Sequence, residues 1–197
     1  MRICLFGGTF DPPHIGHLLI AQTVFEEENF DKIFFIPAYN PPHKGNITPI
    51  KNRLEMLKIA IKGNPNFEIS DLEIKRKGIS YTIDTIIALK KQFNENKNKL
   101  FYLIGSDSLI ELANWKNPDL LLKECQVIVA IRPGFRPSDI PSWILHQIRF
   151  ANIPRFEISS SNIRSRWVQN KTIRYMVTLP VWEYIKDFKL YNQADKS

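Results

Sequence analysis

Two histidines three residues apart, His14 and His17, flank Gly16 in the string Gly7-Gly8-Thr9-Phe10-Asp11-Pro12-Pro13-His14-Ile15-Gly16-His17. An imidazole at a helix N-terminus can donate to a phosphate oxygen, and the helix end adds about 0.3–1 kcal/mol of favourable field for an anion. Gly7-Gly8 permits a close turn whose amide N–H groups face an anion, and Pro12-Pro13 stiffens the connection. Gly16 keeps a Cβ out of a ligand's way. A plain strand-to-helix turn also uses paired glycines. A zinc site is the weaker reading, because two histidines lack the further ligands zinc needs and Cys4 precedes the turn within a strand. The whole string points to a polyphosphate.

Other groups could serve the same chemistry. Lys44 and His43 follow Pro41-Pro42 and either meet phosphates or form a solvated basic loop. Ser159 and Ser160, with Ile163-Arg164 behind them, offer hydroxyls at a helix start and a guanidinium able to bridge two phosphate oxygens. The serines alone also suit an N-cap. Thr9 and Phe10 continue the same turn, and Asp11 can hold it by hydrogen bonding. Gly105-Ser106-Asp107 and Arg132-Pro133-Gly134 both follow apolar strands; Asp107 accepts ribose hydroxyls or caps the next helix. Trp115 supplies a flat indole able to cover a flat heterocycle on one side.

Apolar runs at residues 2–6, 31–37, 67–70, 100–104, 126–131 and 148–150 read as strands. Helical spacing follows His17, includes Leu54, Leu57, Ala60 and Ile61, and covers 81–93, 106–113, 162–168 and 180–188. The alternation predicts an α/β fold: a Rossmann-like, mainly parallel sheet with helices on both faces. A small helical C-terminal part, about 159–192, is expected to pack on it within one domain, 1–197, with the tail from Gln193 fraying. Ligands of such sheets bind beyond the carboxyl ends of the strands, where these loops converge.

With 197 residues, 44% hydrophobic, the chain can bury one substantial core. Twenty-seven Lys and Arg against twenty Asp and Glu leave a net charge of +7, which suits an acidic partner. The basic residues are mostly dispersed, with no zinc-finger or RNA-binding aromatic signature, so no nucleic-acid partner is expected. No segment is long and apolar enough for a membrane span, and no apolar export segment precedes the first strand; a cytoplasmic location is expected. Cys4 and Cys125 lie in or beside apolar strands and are expected to be buried and reduced.

The string resembles the HxGH signature of the nucleotidyltransferase superfamily in its GGTFDPxHxGH form, and more narrowly the bacterial nicotinate-nucleotide adenylyltransferases. Pro41-Pro42-His43-Lys44, Ser80-Tyr81-Thr82, Gly105-Ser106-Asp107, Trp115, Arg132-Pro133-Gly134, Ile158 to Arg164, Tyr184-Ile185 and Leu190-Tyr191 extend the likeness over nearly the whole chain. Ser161 stands where the family more often has Thr.

The resemblance implies transfer of the adenylyl group of ATP to nicotinate mononucleotide, giving deamido-NAD and pyrophosphate. It implies His17 at the α-phosphate, His14 at the β and γ phosphates, and Lys44 and Arg164 as further catalytic cations. Gly7, Gly8, Thr9, Phe10, Gly16, Gly105, Asp107, Arg132, Ser159, Ser160 and Ile163 would join them around ATP. His43, Lys44, Tyr81, Thr82, Thr85 and Trp115 would form the mononucleotide side. Magnesium is implied, held mainly by ATP phosphates and water, with no protein metal ligand. A monomer or weak homodimer is expected. The rivals are an enzyme taking nicotinamide mononucleotide or both substrates, a pantetheine-phosphate adenylyltransferase, and a non-catalytic nucleotide-binding module.

Overall fold

Ile3 and Leu5 point to one face of the first strand and Cys4 and Phe6 to the other, and all four are buried. A strand covered on both sides must lie inside a sheet clad by helices. The computed structural model describes residues 1–42, 45–94, 96–131, 134–154 and 156–192, and it has that architecture. The chain runs β1 (Arg2–Gly8), α1 (Ile15–Glu27), β2 (Lys32–Pro37), α2 (Ile50–Ile61), β3 (Phe67–Ile69), α3 (Leu72–Arg76) and α4 (Thr82–Gln92). It continues through β4 (Lys99–Gly105), α5 (Ser106–Ile110), α6 (Pro118–Glu124), β5 (Gln126–Ala130), α7 (Ser142–Leu145), β6 (Ile148–Ala151), α8 (Ser160–Val168) and α9 (Leu179–Asp187).

The described strands form a six-stranded sheet in the order β3-β2-β1-β4-β5-β6, every neighbouring pair parallel. Chain direction across the sheet reverses between β1 and β4, so the loops leaving these two strands part and open a crevice. On one face Ile83, Ile86 and Leu89 of α4 and Leu121 of α6 cover Leu5, Tyr102 and Val127. On the other, Ile20, Ala21 and Val24 of α1 and Leu57 of α2 cover Cys4, Phe6 and Leu103.

A smaller core joins Met56 of α2 to Ile163, Ile173, Val177, Val181 and Ile185. It packs α8 and α9 on α2 and brings the start of α8 back to the β1 turn. Three short helices, α3, α6 and α7, lie where no helix was read from sequence; at five, seven and four residues they offer too few turns for a periodic signal. The expected helix over 106–113 divides into α5 and a 3₁₀ turn, Leu112–Asn114. α8 starts at Ser160 rather than 162 because Ser159 accepts from the Asn162 N–H at 3.2 Å and caps it. The tail from Gln193 lies outside the described residues.

Candidate active site

A cleft of about 1150 Å³ opens at the carboxyl ends of β1 and β4. Its lining includes Gly7, Gly8, Thr9, His14, His17, Ser159, Ser160 and Arg164 on one side. Tyr81, Thr82, Gly105, Asp107 and Trp115 also line it. Residues far apart in sequence therefore meet in one space.

The two histidines hold each other. His14 is the N-cap of α1, and its Nδ1 accepts from the His17 N–H at 3.3 Å; His17 Nδ1 accepts from the His14 N–H at 3.2 Å. The rings stack with centroids 3.6 Å apart. An Nδ1 that accepts carries no proton, so both rings are neutral in this geometry and present Nε2–H as their donor.

Ser160 Oγ donates to the Pro12 carbonyl at 2.9 Å, and Arg164 Nη1 donates to the Asp11 carbonyl at 2.7 Å. The start of α8 is thus bolted to the β1 turn. Asp11 accepts the Tyr191 hydroxyl on Oδ1 at 2.7 Å and the Thr48 N–H on Oδ2 at 3.1 Å. Burial and then Asp11 push the Tyr191 phenol well above its usual range.

Several expectations about roles change. Gly7 and Gly8 are not in the turn: they pair with Ile36 and Pro37 as the last residues of β1. Glycine is required at 7 because a Cβ there would collide with the Tyr102 hydroxyl. A Cβ on Gly16 would meet Phe156 at 2.7 Å and the His14 ring at 3.0 Å, so this glycine admits protein rather than ligand. Phe10 does not line the cleft; it is 1% exposed, has φ of 50°, and sets its ring edge-on to His17 with centroids 5.0 Å apart. Its work is to seat His17.

Ile163 is wholly buried in the C-terminal core, leaving Arg164 as the member of that pair facing the cleft. Thr85 is also buried, with its hydroxyl donating to Glu73 Oε1 at 2.6 Å and accepting from Arg76 at 3.0 Å. It braces α3 against α4 and does not reach the cleft lining. Asp107 sits in the first turn of α5 and is not its cap. His43, Lys44 and Arg132 lie outside the described residues. Of the other tryptophans, Trp143 is partly exposed, while Trp167 and Trp182 pack on the C-terminal core.

Three residues on or beneath the cleft were missed. Arg53 is 0% exposed and shares the apolar face of α2 with Met56, Leu57 and Ile61, a spacing visible in sequence. Burial pushes its guanidinium below the usual value, and Asp11 and Tyr191 oppose this. Glu73 lines the cleft with Oε2 buried and unpartnered. Lys116 follows Trp115, holds both Asp84 oxygens at 2.9 and 3.0 Å, and lies 4.7 Å from the Tyr81 ring centroid. Among the described residues no group of three or more His, Cys, Asp or Glu is placed to hold a metal, and no helix is long and apolar enough to cross a membrane.

The parallel sheet, its switch-point cleft and the histidine pair at a helix start define a nucleotidyltransferase, and residues 5–166 match the cytidylyltransferase-like family. The chain is 42% identical to the probable nicotinate-nucleotide adenylyltransferase of Exiguobacterium sibiricum over 97% of its own length and 99% of the relative's. It is 41% identical to the nicotinate-nucleotide adenylyltransferase of Bacillus subtilis, covering 96% and 98%. The chain belongs to the nicotinate-nucleotide adenylyltransferase family. Its fold also matches the Plasmodium falciparum nicotinic acid mononucleotide adenylyltransferase complexed with NaAD, with TM-score 0.82, 22% identity and coverage of 96% and 97%.

Proposed function

We propose that this enzyme transfers the adenylyl group of ATP to nicotinate mononucleotide in a single in-line step. A phosphate oxygen of the mononucleotide forms a bond to the α-phosphorus of ATP as the bond from that phosphorus to the α–β bridging oxygen breaks. Pyrophosphate leaves with the electron pair, and deamido-NAD remains. The nucleophile is already an anion, so no strong base is needed; positioning and charge neutralisation carry the rate. The observation that carries this reading is the meeting of the His14–His17 turn with the Ser159–Arg164 segment on the cleft that also holds Trp115.

His17 serves as the Nε2–H donor to the α-phosphate and His14 to the leaving phosphates; their shared cap supports this by fixing both tautomers. Arg164 spends one N–H on Asp11 and has others for phosphate oxygens. Ser159 and Ser160 add donors at the α8 start. Lys44, His43 and Arg132 are proposed to add positive charge. Donors of this kind suit phosphate oxygens and not a cation, so magnesium is carried by the triphosphate and water, where it neutralises charge. Trp115 stacks on the pyridine, with Tyr81 and Thr82 beside it. Reaction in the cytoplasm, by a monomer or weak homodimer folded as one domain, completes the proposal.

Glu73 favours a second reading, in which nicotinamide mononucleotide is also accepted. Its buried Oε2 lacks a donor, which a carboxamide can supply and a carboxylate cannot. Lys116 beside Trp115 favours the acid. The test is pyrophosphate release with ATP and magnesium, comparing nicotinate mononucleotide, nicotinamide mononucleotide and phosphopantetheine. Preference for the first supports the main reading, and equal rates for the first two support the second. Preference for phosphopantetheine, or no release at all, removes both.

A further inference from the structure

The guanidinium of Arg53 donates to the carbonyls of Thr48 and Thr9 at 2.8 Å each, of Ala38 at 2.8 Å and of Tyr39 at 3.3 Å. These four carbonyls belong to three separate segments: the turn leaving β1, the loop leaving β2 and the approach to α2. Thr9 and Ala38 line the cleft, whereas Arg53 does not. Beyond Tyr39 the chain of bonds continues: its N–H and that of Asn40 donate to Ser80 Oγ at 2.9 and 3.2 Å, and the Ser80 N–H donates to the Asn40 carbonyl at 2.9 Å. Ser80 leads directly into Tyr81 and Thr82.

We propose that Arg53 is a positioning residue for adenylyl transfer, acting from beneath the cleft to lock the turn that carries His14 and His17 to the loop that supports Ser80, Tyr81 and Thr82. It touches neither substrate. Its action is to hold the phosphate side and the mononucleotide side at one separation, so that the attacking oxygen and the α-phosphorus meet in line.

A planar fork with five donors suits this task. Its three nitrogens reach carbonyls in different directions, whereas a lysine ammonium puts all its donors on one atom. Thr48 strengthens the assignment, because its carbonyl takes Arg53 while its N–H takes Asp11, the residue also held by Arg164 and Tyr191. Arg53 and Asp11 thus hold the same residue, one by its carbonyl and the other by its N–H.

This inference rests on the adenylyl-transfer reading, and its test has an arm that needs no turnover. Arg53→Lys, which keeps the charge, and Arg53→Met, which keeps much of the stem, are compared with wild type well below their melting temperatures. Amide hydrogen exchange is followed in residues 9–11, 38–40 and 80–82. The expected result is exchange at least about tenfold faster in those segments in both variants, with β4 and β5 protection unchanged. In the turnover arm kcat falls by about tenfold or more in both, with the ATP KM held within about threefold.

Should Met fail to fold, Lys carries the test alone. Unchanged exchange in the three segments overturns the proposal. So does a loss of protection spread evenly over the sheet, or a kcat per folded molecule equal to wild type. If wild type itself releases no pyrophosphate, the adenylyl-transfer reading falls, and the exchange arm alone decides whether Arg53 locks the loops.

Discussion

Tyr191 donates its hydroxyl to Asp11 across 180 residues of sequence, tying the end of the described chain to the turn that leaves β1. Asp11 is 4% exposed, and removing a donor from a buried carboxylate leaves it underpaired. The C-terminal part of the chain therefore helps hold the turn that leads to His14 and His17. Tyr191→Phe should lower stability by about 1–3 kcal/mol and raise the ATP KM more than the mononucleotide KM. Denaturant melts and initial rates check this. Equal shifts in both KM values would detach the tyrosine from the ATP side.

The histidine cap separates two roles that one substitution would confound. His14→Ala should cost about 1 kcal/mol by removing the N-cap and should also reduce turnover. His14→Asn should recover the stability, because Asn caps well, without recovering the rate. His17→Ala should lower kcat by about 10²-fold if its donor bond strengthens in the transition state. A change confined to ATP affinity would place His17 in ground-state binding only.

Glu73 and Lys116 carry opposite charges on the same lining, so their substitutions should move substrate preference in opposite directions. Glu73→Gln should raise kcat/KM for nicotinate mononucleotide relative to nicotinamide mononucleotide, and Lys116→Met should lower that ratio, each by about 3- to 10-fold. Competition assays with both substrates read the ratio directly. Parallel movement of the two variants would sink the idea.

Buried acids should make the fold sensitive to alkali. Burial pushes the Cys125 thiol up from 9.0 to about 12, with Lys90 opposing, and pushes Cys4 and Tyr102 higher still. A raised folded-state pKa means that the folded chain keeps its proton after the unfolded chain has lost it. The stabilisation is complete below pH 9.0 and is lost as pH rises through the Cys125 value of about 12. Unfolding free energy should fall by about 1.4 kcal/mol per pH unit for each such group, and Cys125→Ala should make the slope shallower by about that amount.

The strands were legible because a doubly covered parallel sheet writes itself as apolar runs, as in Leu5–Phe6 and Val127–Val129, and the glycine and proline punctuation marked their ends. The histidine pair was legible because its cap is local: both bonds close within three residues. The spacing also placed Ser159 at a helix start.

What sequence alone determined, then, was the alternating strand-and-helix order, the chemical inventory of the cleft and the helix-start position of His14 and His17. Each depends on neighbours within a turn or two of chain. Tertiary structure alone decided that Gly7 makes room for Tyr102, that Thr85 serves Glu73 and that Phe10 seats His17. The same holds for Arg53, whose four carbonyl partners come from three segments. These roles arise where distant segments meet in a buried space, and a buried polar group takes its partner from whatever the fold brings within about 3 Å.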